Sequence, residues 1–216
     1  MDFMKLIKSL EALLYEVMSW LVFYPRTLWL AFTRPLYLMR YADTELGDSD
    51  EERYSDTLSP PIFLALTLGI AHLIELTHGW EQLEGILADD RNLLAFRLVA
   101  FALIPLMLSV RMLRLEDAPL DRQTLRPPFY AQCFVAAPFA LMLDLAAIFR
   151  DTGPVFSVVL AAVAFAWLLT VETLWFRRDA KLPVGKAIWN AVRAIVTALF
   201  VIILLSVGID LVSYAS

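Results

Sequence analysis

The chain carries one cysteine, two histidines and seven glycines among its 216 residues. The lone Cys133 permits no intramolecular disulfide and no thiolate metal cluster; in the middle of an apolar block it reads as a small buried hydrophobe. Two histidines, His72 and His78, offer no His/Cys ligand spacing, so no metal site is expected. The glycines form neither a phosphate-cradling loop nor a Gly-x-Ser-x-Gly elbow. Catalytic residues and cofactors are therefore not expected, the chain reads as non-enzymatic, and no nucleic-acid partner is expected. The N-terminal lysines are not followed by a compact apolar stretch with a small-residue cleavage site, so insertion is expected to rely on the first true crossing.

What the chain has in quantity is apolar residues, 60% of the total, against about 45–50% in soluble domains. They fall into blocks at roughly 60–77, 93–113, 128–149, 155–176 and 187–212. At about 1.5 Å per residue each block crosses, or nearly crosses, a hydrocarbon core of about 30 Å. The expected fold is all-α, a polytopic transmembrane bundle of five crossings spanning 59–216. Pro60-Pro61 and Pro127-Pro128 open the first and third crossings, where a missing amide hydrogen is harmless. Pro105 and Pro138 fall inside crossings and are expected to bend them. Ala161, Ala162, Ala164 and Ala166 are expected to let the fourth crossing pack closely.

Ahead of these blocks, residues 1–41 are expected to form amphipathic helices lying on the membrane face. Apolar residues recur at helical spacing up to Tyr24, and Pro25 is expected to stop the first helix. In the second segment Arg26, Trp29, Arg34 and Arg40 suit the headgroup zone, with rings half-buried and guanidinium groups on lipid phosphate. Membrane lipid is thus the expected partner, and the same region is open to a protein partner. A sixth crossing at Leu13–Phe32 is the rival, with Pro25 and Arg26 inside it. Residues 42–58 are acidic and read as a flexible cytoplasmic linker.

Loop charges orient the bundle. The loop at 78–91 carries Glu81, Glu84, Asp89 and Asp90 against Arg91. The next holds Arg111, Arg114, Arg122 and Arg126, and the fourth Arg177, Arg178, Lys181 and Lys186. This alternation fits an N-terminus inside and a C-terminus outside. His78, Trp80, Trp175, Trp189 and Tyr214 read as interfacial anchors.

That orientation gives the intramembrane charges a depth. His72 and Glu75 share a helix face near the outer end of the first crossing. Arg97 enters the second crossing from outside, Asp144 reaches the same end of the third, and Asp210 that of the fifth. Five ionisable groups are expected to converge there, with Arg97 pairing Glu75 or Asp144. On the inner half Glu172 is expected to meet Arg193. A charge at mid-bilayer costs about 2.5–3.5 kcal/mol even on permissive scales, so these groups are expected to face inward and pair. The set is compatible with structural ion pairs, with a polar path for ions or protons, or with an acid/base pair at Glu75 and Asp144 that has no nucleophile or metal beside it.

With Pro25-Arg26-Thr27-Leu28 followed by Arg34-Pro35, five crossings and a cytoplasmic N-terminal region, the chain resembles bacterial members of the Yip1-type membrane family. The resemblance implies a non-enzymatic protein of the bacterial cytoplasmic (inner) membrane, with no active-site residues to transfer; eukaryotic relatives are linked to membrane organisation and trafficking. Two functions are open. One is a permease-like or channel-like path lined by His72, Glu75, Arg97 and Asp144. Five helices enclose little space, so that path is easier to build in a homo-oligomer. The other is a scaffold or assembly partner in which 1–41 binds lipid or protein and the charge pairs are structural.

Overall fold

The structure is a computed structural model that describes residues 3–47, 54, 56–77 and 85–215. The middle of the acidic segment, the first-loop residues His78, Trp80, Glu81 and Glu84, and the Tyr214 side chain lie outside the described residues. Seven α-helices follow one another: α1 (Phe3–Thr33), α2 (Pro35–Glu45), α3 (Pro60–Thr77), α4 (Asp90–Leu115), α5 (Arg122–Ile148), α6 (Pro154–Arg178) and α7 (Val184–Ala215), with a 3₁₀ turn at Gly85–Ala88. No strand occurs among the described residues. The helices from α3 to α7 are long and apolar enough to cross a membrane, and α1 is not among them. The fold is the all-α bundle the apolar blocks require.

α5 is the axis of the bundle and packs against α1, α2, α3, α4 and α6. Ala131 to Ala140 are all buried, as expected of a helix surrounded by protein on every side. Its start differs from expectation. The helix begins at Arg122, where the Asp121 carboxylate accepts from the backbone of Gln123 (2.8 Å) and Thr124 (2.9 Å), and Thr124 closes the reciprocal capping bond. Pro127 and Pro128 therefore lie inside α5. α4 and α5 also run continuously through Pro105 and Pro138.

α7 closes the bundle against α4 and α6. Its inner stripe is Ala187, Asn190, Ala191, Ala194 and Ala198, the i, i+3, i+4, i+7 spacing of one helix face. Small residues here let the backbones approach closely. The alanines expected to do this in the fourth crossing do not: of Ala161, Ala162, Ala164 and Ala166, only Ala164 is buried. Phe200, Ile203, Leu204 and Leu211 of α7 point outward, toward what the five apolar helices make a lipid environment.

The N-terminal region departs from expectation most. Pro25 does not stop α1, which continues to Thr33. Proline costs one amide bond and a clash with the preceding turn, but the helix beyond it is held by the bundle. Thr27 and Ala31 are fully buried, Thr27 donates to the Phe23 carbonyl (2.8 Å), and Tyr24 packs on Phe63 (5.7 Å between centroids). Before Pro25 the helix leaves the bundle: Leu10, Leu13, Leu14, Met18 and Leu21 are all exposed.

The acidic segment is docked at both ends instead of hanging free. α2 continues into it as far as Glu45. Asp56 accepts from Arg26 (2.9 Å) and from the Tyr41 hydroxyl (2.5 Å), and the backbone amide of the buried Leu58 donates to Thr27 (3.2 Å). The apolar Leu58 at the segment's edge, and partners for its carboxylates on α1 and α2, are the reasons.

Candidate functional site

Three helices bring four of the expected residues together at the α3 C-terminal end of the bundle. α3 presents His72 and Glu75 one turn apart, both buried. Arg97 of α4 forms an ion pair with the Glu75 carboxylate. His72 Nδ1 lies 3.8 Å from the same carboxylate, too long for a hydrogen bond. Asp144 of α5 lies within the electrostatic reach of both Arg97 and Glu75. The expected pairing of Arg97 with a carboxylate is therefore met by Glu75. The buried Asp144 Oδ2 and His72 Nδ1 have no hydrogen-bond partner. Two carboxylates, Glu75 and Asp144, thus face one guanidinium.

Two expected placements are not met. Asp210 is exposed and does not join the cluster. α7 packs chiefly on α4 and α6, and Asp210 lies on its exposed side. Glu172 does not meet Arg193. Arg193 is exposed, because its neighbours Asn190, Ala191 and Ala194 form the buried stripe and one residue along a helix turns about 100° away. Glu172 is fully buried toward α5, where Gln132 Nε2 donates to its Oε2 (2.8 Å) and Oε1 has no partner. Gln132 carries no charge, and its signature in the sequence is an amide side chain within an apolar run.

Of the expected lipid contacts, Trp29 is 70% exposed, and Arg34 and Arg40 are exposed. Arg26 instead spends one guanidinium nitrogen on Asp56, a half-exposed pair of small energetic value.

The opposite end of the bundle holds a cavity of about 450 Å³ between α2, α4, α5 and α6. Asp43, Glu116 and Asp179 line it with the nearly buried Ala131 and Trp175. Arg178 grips Asp179 through two parallel bonds (2.5 and 2.7 Å) and donates to the Leu36 carbonyl (2.9 Å), tying α2 to α6. Burial pushes the Asp43 carboxyl up to about 6, with the Asp179 charge adding, Arg178 opposing and Glu116 adding. Burial, then Asp179, also raises Glu116.

A carboxyl raised in the folded state holds its proton more tightly there than in the unfolded chain, so its contribution is greatest below the ordinary carboxylate range and is lost as pH rises through about 6. Asp43→Asn should therefore raise Tm at neutral pH and flatten the fall between acid and neutral pH. The gain is modest, because part of the side chain meets solvent. Thermal unfolding in detergent across that range checks this; an unchanged slope in the variant would refute the assignment.

Among the described residues no group of His, Cys, Asp and Glu side chains is arranged to hold a metal ion. No protein-family model, curated protein or solved structure matches the chain.

Proposed function

We propose that the protein is a non-enzymatic, permease-like integral membrane protein that passes a small cation, the proton being the simplest fit, through the His72–Glu75–Arg97–Asp144 cluster. One observation carries the reading. Four ionisable side chains from three apolar helices converge, and the set retains a buried carboxylate oxygen without a hydrogen-bond partner. Structural ion pairs are most stable when fully matched, because an unpaired charge in a low-dielectric site is costly. An excess carboxylate is instead what a site that takes up a cation needs. The loop charges favour the N-terminus inside and the cluster in the outer half, in a bacterial inner membrane. A homo-oligomer supplies the enclosing wall that five helices lack.

Purified protein in liposomes loaded with a pH-sensitive dye should dissipate an imposed proton gradient, and Glu75→Gln or Asp144→Asn should abolish that flux in folded protein. Wild-type liposomes no leakier than empty ones, to protons, sodium or potassium, would overturn the proposal.

A second reading has its own observation. The half of α1 before Pro25 presents exposed apolar residues, Leu10, Leu13, Leu14, Met18 and Leu21 among them, which favours a Yip1-like scaffold that binds a membrane surface or a protein. Deleting residues 1–22 should then abolish function while α3–α7 remain folded; full activity in the truncated protein would refute it.

A further inference from the structure

The cation reading uses one end of the bundle and leaves Glu172 without a role. Its side chain is fully buried among α5 and α6, and Oε1 has no hydrogen-bond partner. The polar groups on the elements around it do not neutralise it. Gln132 of α5 donates one bond but carries no charge. On α7, Asn190 is engaged with Arg111 (2.6 Å) and with the Lys186 carbonyl (2.7 Å), and Arg193 is exposed. On α2, Asp43 lines the cavity. An ionised carboxylate so enclosed, with no cation beside it, costs several kcal/mol after relaxation.

The cavity at the α2 end shares helices α5 and α6 with this group. Glu172, Trp175 and Asp179 are spaced i, i+3 and i+7 on α6, so they share one face. Trp175 and Asp179 line the cavity, and on α5 Ala131 lines it immediately before Gln132. The lining residues Trp175 and Ala131 therefore stand within about one helical turn, roughly 5 Å along the helix axis, of Glu172 and Gln132. Three carboxyl groups lining the cavity raise the local proton concentration.

We infer that Glu172 is a second, internal proton-binding site, coupled to the acidic cavity at the α2 end of the bundle. This does not require the cation-passing reading of the His72–Glu75–Arg97–Asp144 cluster, because it concerns occupancy of Glu172 and not flux.

Dicyclohexylcarbodiimide, an apolar carbodiimide, tests it on the intact wild-type protein in detergent. The protonated carboxyl adds across one C=N bond. Its proton goes to nitrogen, its oxygen bonds the central carbon, and the adduct rearranges to an N-acylurea with nothing leaving. Peptide mass spectrometry should place the adduct on Glu172. Its yield should fall by about tenfold per pH unit above the midpoint. Glu172→Gln should remove it. Replacing Asp43 and Asp179 together by asparagine should move the midpoint to lower pH, since fewer negative charges then attract the proton. Absence of the adduct at Glu172 in folded wild-type protein, or a yield that does not change with pH, would overturn the site. An unmoved midpoint in the double variant would overturn the coupling of Glu172 to the cavity carboxyl groups. Because the readout is made on the wild type, a Glu172→Gln variant that fails to fold does not spoil it.

Discussion

Replacing Arg97 by alanine should destabilise the folded bundle by about 3–5 kcal/mol, the range for breaking a buried ion pair from one side. The change leaves Glu75 buried beside Asp144 with no cation between them, so two carboxylates repel where one guanidinium had joined α4 to α3. A fall in Tm of about 10 °C in detergent follows from that loss. Removing both partners is expected to cost less than the sum of the single changes, because Arg97→Ala together with Glu75→Gln leaves one carboxylate, Asp144, without a cation instead of two. A neutral Arg97→Ala would mean that water already solvates the pair, and the dry ion-pair geometry would have to be abandoned.

Phe63→Ala should cost nearly as much, and for another reason. Phe63 is fully buried on α3, with its ring 5.7 Å from Tyr24 of α1 and 5.9 Å from Phe134 of α5. Truncation of a buried phenylalanine costs about 3–5 kcal/mol. In a membrane protein the lower part of that range applies, because lipid tails are as apolar as the core and the loss is one of packing. The stack joins the N-terminal arm to the bundle, so the substitution should also loosen α1. Unfolding measurements should show the stability loss, and limited proteolysis near Pro25 should become faster. Phe63→Leu, which refills most of the space, should restore much of both. If proteolysis of α1 is unaffected, the arm is held by Thr27, Ala31 and the Asp56 contacts alone.

Of the candidate site, the α3 half was legible in the sequence. His72 and Glu75 had to share a face by helical spacing, and alternating loop charges set α4 antiparallel so that Arg97 arrived at the same end. Asp144 followed from its distance along α5. The partner of Glu172 was not legible, since rotation about the helix axis decides it and depth does not. Arg193 has the right charge and depth but sits on the wrong side of α7, whose buried stripe is set by alanines 187, 191, 194 and 198. That periodicity was present to be read, and it points Arg193 outward.

By itself, then, the sequence determined the helical class, the five apolar helices and the end of the bundle at which each charge lies. These follow from composition, helix rise and periodicity, which are local properties. Only the tertiary structure decided that α5 is the axis, that α1 continues past Pro25, that Gln132 and not Arg193 meets Glu172, and that Asp43, Glu116 and Asp179 share a cavity. Each of these depends on which faces of separate helices pack together. That is a balance of side-chain volumes and unmatched polar groups summed over the whole bundle, and no single segment contains it.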